Sequence, residues 1–198
     1  MLFVFQLTWL AKDLASVNRS KTPWVVATSH FPMYCTGCRQ NGTTENTTQQ
    51  NADLEPLFLK HGVDLYLAGH WHYYESLYPV RQTFVTGIPA GCATSGDGFT
   101  AGCTTQHDFH NPNSPVHITT GNGGPPSLDS WIEDCHGVGN ITCHSINATR
   151  KQSLKFGYGR IIAYNASTLL YQQVANDDGS IVDEFVVTQG SHGTFPPL

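Results

Sequence analysis

Apolar residues recur at positions 9, 10, 14 and 17 of Trp9–Val17 (WLAKDLASV), the spacing of one helix face. Pro23 closes that segment, and the mostly apolar run Trp24–Ser29 (WVVATS) predicts a buried strand. Residues 32–50 open on Pro32 and carry two cysteines, two sequons and a Thr/Gln-rich tract, which together read as a surface loop. Asn51 stands where an N-cap belongs, ahead of the stripe Leu54, Leu57 and Phe58, and Gly62 stands where a helix-ending glycine belongs. Val63–Ala68 (VDLYLA) predicts a second buried strand, followed by Gly69-His70-Trp71-His72.

Strand, loop, helix and strand over residues 24–72 make an α/β crossover with parallel strands, whose ligand sites lie beyond the carboxyl ends. His30 and His70 each follow such an end. Beyond residue 80 the character changes. Residues 90–115 are rich in Gly, Thr, Cys and Asn and read as a long loop; Val116–Thr120 is a short strand running into Gly121-Asn122-Gly123-Gly124; residues 130–150 form a second Cys-rich excursion. Arg160–Asn165, Thr168–Val174 and Ile181–Thr188 read as strands, with Asn176-Asp177-Asp178-Gly179 as a hairpin turn. No internal repeat is visible. The expected organisation is one domain over residues 1–198, with an α/β part (6–128) and C-terminal antiparallel strands (155–190).

The 198 residues are 39% hydrophobic and 13% charged, with a formal net charge of −5. This gives no basic surface for nucleic acid and too much apolar content for a wholly disordered chain. No segment approaches the ~18 uninterrupted apolar residues of a membrane span. The sequons at Asn18, Asn41, Asn46, Asn140, Asn147 and Asn165 exceed the roughly two that chance would place, and mark glycosylation sites. The cysteines, Cys35, Cys38, Cys92, Cys103, Cys135 and Cys143, are even in number and loop-borne, as disulfides of an oxidising compartment are. Proximity suggests Cys92 with Cys103 and Cys135 with Cys143, leaving Cys35 with Cys38. A half zinc knuckle at Cys35-Thr36-Gly37-Cys38 is disfavoured because no second CxxC exists. The expected location is extracellular or a lysosome- or vacuole-like compartment. MLFVFQLTWLAKDL lacks the basic start and small-residue cleavage site of a signal peptide, so upstream sequence is expected.

A histidine beside a glycine is ordinarily a surface or satisfied core residue. The context of His70 and His72 argues for more. Residues i and i+2 of an extended segment project to one side, so both rings are expected to face one pocket, one imidazole to each of two metal ions ~3.5–4 Å apart. Gly69 is expected to let the backbone turn there. Bridging carboxylates are missing, since Asp64 lies within the strand and Glu75 beyond the loop. His107, His110, His117, His136 and His144 show no ligand spacing and read as solvated or structural.

The ordered stretches TPWVVATSHFPMY, VDLYLAGHWHYYES, PVHITTGNGG and FGYGRIIAYNAST resemble the purple acid phosphatases of the calcineurin-like metallophosphoesterase superfamily, over Gln6 to about Val187. Gly69-His70-Trp71-His72 matches that family's Gly-His-x-His, and Tyr74-Glu75 continue it, with Ser76 in place of an arginine. His30 matches the Val-x-x-His motif, though Val26 lies one residue further off. The resemblance implies a four-layer αββα sandwich, of which this chain is the C-terminal half. It also implies acid phosphatase activity on small phosphomonoesters through a dinuclear centre of Fe(III) with Zn, Mn or Fe(II). His30 and His70 would bind the divalent ion and His72 the ferric ion. The family's Asp-x-Gly, Gly-Asp-x-x-Tyr and Gly-Asn-His motifs are absent; Gly96-Asp97-Gly98 comes in the wrong order. Arg39 and Gln40 stand where plant members carry a histidine pair, so Arg39 is a candidate phosphate contact or a solvated loop residue. The alternatives are an inactive secreted glycoprotein module with the same fold and a metallophosphoesterase acting on phosphodiesters or nucleotides.

Overall fold

A computed structural model describes residues 2–35, 47–81, 84–85, 108–124 and 149–196. Helix α1 spans Leu2–Ser16, seven residues further upstream than the periodicity places it. Its inward side carries Leu10 and Leu14, one turn apart, whereas Trp9 is 64% exposed and does not belong to the stripe. Helix α2 spans Thr47–His61, so Asn51 lies inside it rather than at its cap, and Pro56 withholds one N–H from its ladder. Its end is as expected: Gly62 takes φ 62° and Val63 N–H returns to the Phe58 carbonyl at 3.0 Å, a Schellman closure.

The first sheet comprises β1 Val26–Ser29, β2 Leu65–Ala68, β3 Tyr74–Leu77, β7 Val116–Thr120 and β8 Thr149–Ser153, in the order β1-β2-β7-β3-β8. β1, β2 and β7 pair in parallel; β3 and β8 join antiparallel. β2 is buried as its apolar run predicts. β1 is not: it forms the sheet edge and is largely exposed, Val26 by 38%. An apolar run sets the strand, but the number of neighbours sets its burial.

β3 was not legible as a strand because Glu75 and Ser76 interrupt its apolar pattern. Both are fully buried and satisfied: Glu75 accepts from Thr149 Oγ1 at 2.7 Å and Gln152 Nε2 at 3.0 Å, and Ser76 Oγ donates to Asp183 at 2.9 Å. Two short strands, β4 Val80–Arg81 and β5 Phe84–Val85, form a small ribbon.

The second sheet comprises β6 Phe109–His110, β9 Gly157–Asn165, β10 Thr168–Ala175 and β11 Ile181–Thr188, in the order β6-β11-β10-β9. The antiparallel meander β9–β11 matches the alternation in the tail, and Gly179 at φ 71° closes the predicted hairpin. One apolar cluster (Leu14, Phe58, Tyr66, Leu77) lies between the helices and the first sheet. A second (Leu65, Tyr74, Ile118, Tyr171, Phe185) lies between the two sheets. The described layers therefore run helix, sheet, sheet, three consecutive layers of the expected sandwich.

Candidate metal centre

His30 follows β1 and His70 follows β2, and Ser29 pairs with Ala68 in their parallel register. The two strand ends thus lie side by side, and the Gly69 N–H donates to the His30 carbonyl at 3.0 Å. His30 Nε2 and His70 Nδ1 are 3.1 Å apart. The Phe31 ring packs on both imidazoles, with centroids 4.7 Å from His30 and 4.4 Å from His70. His30 is exposed; His70, Trp71 and His72 are half-buried.

The segment carrying His70 and His72 is not extended, which corrects the expectation of two rings projecting from one face of a strand. Trp71 N–H bonds the Gly69 carbonyl at 2.8 Å, and Tyr73 N–H bonds the Trp71 carbonyl at 2.9 Å. These are two successive three-residue turns, one centred on each histidine. The left-handed backbone falls on His70 itself, at φ 64°, not on Gly69. A Cβ on Gly69 would meet only the His30 carbonyl oxygen at 3.8 Å, an ordinary contact. The glycine this loop requires is Gly121, where a Cβ would lie 2.1 Å from the Trp71 carbonyl oxygen. Gly121 therefore lets β7's end pack under the loop. Asn122 fixes that turn by donating to the Lys155 carbonyl at 2.6 Å and accepting from Gln173 Nε2 at 3.2 Å.

Two imidazole nitrogens 3.1 Å apart can both reach one ion at ~2.0–2.1 Å, so the pair fits two neighbouring ligand positions of a divalent metal. A strained non-glycine residue at the centre is a further mark of a site. Among the described residues, however, no three His, Cys, Asp or Glu side chains converge as a complete ligand set. The two acids that flank the histidines in sequence among the described residues are committed elsewhere. Asp64, wholly buried, accepts from Val25 N–H (2.7 Å), Arg19 Nη2 (2.9 Å) and Gln189 Nε2 (2.8 Å). Burial raises its pKa, against the downward pull of the Val25 N–H and the Arg19 charge. Glu75 is held by β8, as described above.

His117 is structural and not solvated: it is 2% exposed, and neither ring nitrogen has a well-formed hydrogen bond. It stands edge-on to Tyr34 and Tyr66, with centroids 5.1 and 5.7 Å away. Burial pushes its pKa down to about 3, against a weaker upward pull from the Val80 backbone. His110 sits by Thr188 Oγ1 at 2.7 Å, away from the pair. Asn18 and Asn165 are exposed, and their side-chain oxygens accept the hydroxyls of Ser20 (2.6 Å) and Ser167 (3.0 Å) of their own sequons. Cys35 is buried and disulfide-bonded, to a partner outside the described residues. Arg39, Asn41, Asn46, Asn140 and Asn147, with Cys38, Cys92, Cys103, Cys135 and Cys143, also lie outside them. Phe31 and Tyr66 support the pair without any signal in the sequence, whereas Gly121 lies in a glycine cluster at a strand end.

Two family models match the chain: calcineurin-like phosphoesterase over residues 3–74, which contain all three histidines, and iron/zinc purple acid phosphatase-like protein C over residues 114–184. Both parts of the chain are thus similar to the purple acid phosphatases. An acid phosphatase of Aspergillus ficuum is 32% identical over 94% of this chain and 27% of its own length. A probable inactive purple acid phosphatase 9 of Arabidopsis thaliana is 34% identical over 90% of this chain and 24% of its own length. The purple acid phosphatase structure from yellow lupin seeds shares the fold with TM-score 0.70 and 24% identity, over 92% of this chain and 28% of that one. The chain thus spans about a quarter of the length of these three proteins. Among the described residues no helix is long and apolar enough to cross a membrane.

Proposed function

We propose that this chain supplies the last two ligand loops of a dinuclear metallophosphoesterase that hydrolyses phosphomonoesters. The observation that carries the reading is the approach of His30 Nε2 to His70 Nδ1, 3.1 Å, at the carboxyl ends of adjacent parallel strands. His30 and His70 serve one divalent ion, and His72, centred on its own turn, serves the second, ferric ion. Asp64 and Glu75 are buried in other hydrogen bonds, and the bridging carboxylates are assigned to the motifs absent from these 198 residues. A bound pair of ions supplies positive charge to the phosphate oxygens and makes a water more acidic. The chain's own residues do the rest: Phe31 holds the two imidazoles against each other, and Gly121 lets the loop rest on β7. An extracellular or vacuole-like location suits the sequons and the disulfide at Cys35.

A second reading, a fold-retaining module without catalysis, draws support from the relative named inactive and from the incomplete ligand set among the described residues. Zinc or cobalt titration of the purified chain, with p-nitrophenyl phosphate turnover measured alongside, tests both. We expect weak metal binding that is lost in His30→Ala and His70→Ala, and negligible turnover by the chain alone. Binding indifferent to both substitutions would remove the metal-site reading. Robust turnover by the chain alone, lost in His70→Ala, would show that no carboxylate from elsewhere is needed.

A further inference from the structure

The segment around His30 is tied down by a side chain from the neighbouring strand. Tyr66, in the middle of β2 and 1% exposed, donates its hydroxyl to the Phe31 carbonyl at 2.7 Å. Ser29 Oγ contacts the same carbonyl at 2.8 Å and forms a short hydrogen bond with the Tyr66 hydroxyl. Both hydroxyls lie within hydrogen-bond reach of the Phe31 carbonyl, so either can hold it. The Tyr66 ring has little freedom to take its hydroxyl elsewhere, because Phe58 and His117 pack against it at 5.4 and 5.7 Å. His30 is thereby bracketed: its own carbonyl accepts from Gly69 N–H, and the next carbonyl is held by Tyr66 and Ser29. The Phe31 ring, carried on the same backbone, abuts both imidazoles.

We propose that Tyr66, assisted by Ser29, is the positioning residue of the His30–His70 pair, setting the spacing of the two nitrogens through the Phe31 carbonyl. For what the pair does, this rests on the metal-site reading; for how the pair is held, it does not. Tyr66 touches neither imidazole. It acts by restricting the backbone on which His30 is mounted, so its hydroxyl governs how often the two nitrogens stand close enough to share one ion.

The test uses the 198-residue chain. Nuclear Overhauser contacts between the Phe31 ring and the His30 and His70 imidazoles report the arrangement without metal, and zinc calorimetry reports its consequence. Tyr66→Phe keeps the ring and removes only the hydroxyl; Ser29→Ala, at an exposed site, covers the case in which the buried change prevents folding. Thr188→Val is the control, removing a second-sheet hydroxyl that lies 2.7 Å from His110 Nδ1, away from the pair. We expect Tyr66→Phe to weaken the contacts and to raise the zinc Kd about 10-fold, the lower end of what outer-shell changes do. Ser29→Ala should act in the same direction with a smaller effect, and Thr188→Val should leave both readouts in place. Unchanged contacts in Tyr66→Phe and Ser29→Ala, or an equal loss in Thr188→Val, would overturn the proposal. Zinc binding abolished by His30→Ala yet indifferent to Tyr66→Phe would overturn it while sparing the metal site. Contacts that respond in a chain that binds no zinc would sink the metal-site reading and uphold the positioning.

Discussion

The first sheet holds histidines in two opposite conditions. At its open end, His30 and His70 bring two ring nitrogens within 3.1 Å of each other, beside solvent. In its middle, His117 on β7 is 2% exposed and neither of its nitrogens has a well-formed hydrogen bond. Residue type is the same; depth and company differ. The open pair can exchange its mutual contact for a metal ion with little desolvation. His117 can only remain neutral, because a proton there would be a buried charge facing Tyr34 and Tyr66. Placement at a strand's end, rather than the imidazole itself, leaves a histidine open to a ligand.

Acid stability should separate the two most strongly. The folded-state pKa of His117 is about 3, against an ordinary 6.5. Between those values the unfolded chain binds a proton that the folded chain refuses, so stability is full above pH 6.5 and falls as the pH drops toward 3. The slope approaches about 1.4 kcal/mol per pH unit, roughly 4 kcal/mol over the whole window. Chemical denaturation of His117→Phe across that range should show this slope removed; an identical slope in the variant would mean that His117 is not the group responsible. His70→Ala should do the reverse: zinc affinity falling by about 100-fold or more, beyond the usual outer-shell effect, with the acid slope retained.

What the sequence disclosed follows the same division. The strand-end histidines, β2, β7 and the β10–β11 hairpin were legible because a buried parallel strand and a two-sided meander each have their own apolar period. His117 was not, although its strand was. In VHITT, Val116 and Ile118 alternate with His117 and Thr119, which looks like a polar face turned to solvent. The parallel pairing of β2 with β7 instead places both faces under cover, one beneath the helices and one beneath the second sheet. β1 fails in the opposite sense, apolar in sequence and exposed at the edge. The turns of the ligand loop were illegible for a third reason: the close approach of Gly121 to Trp71 joins segments far apart in the chain, and no local pattern encodes it.

That approach gives a smaller effect at the open end. Gly121→Ala would put a methyl 2.1 Å from the Trp71 carbonyl oxygen, so the loop or the turn must move. We expect a stability loss of about 1–3 kcal/mol, as for other overpacking changes. Zinc affinity should fall with it if the displaced loop carries His70 away from His30. Thermal unfolding and calorimetry on the same samples read both, and a loss of stability with full affinity would show that the turn, not the ligand loop, gives way.

The finest distinction lies within the ligand loop, between two histidines at the centres of successive turns. His70 sits at φ 64°, in the left-handed region that costs a residue with a Cβ about 1–2 kcal/mol; His72 does not have a positive φ. Replacing each by alanine and by glycine cancels the loss of the ring and leaves the backbone. At position 70 glycine should be more stable than alanine by about 1 kcal/mol, because it adopts the left-handed turn without strain. At position 72 the order should invert, glycine being the less stable by about 0.5–1 kcal/mol through its greater unfolded-state freedom. Denaturation midpoints of the four metal-free variants decide it. The same order at both positions would mean that His70 carries no backbone strain. The inverted order would show that the protein holds one histidine in an unfavourable conformation and the other in an ordinary one, and that the cost falls on the residue facing His30.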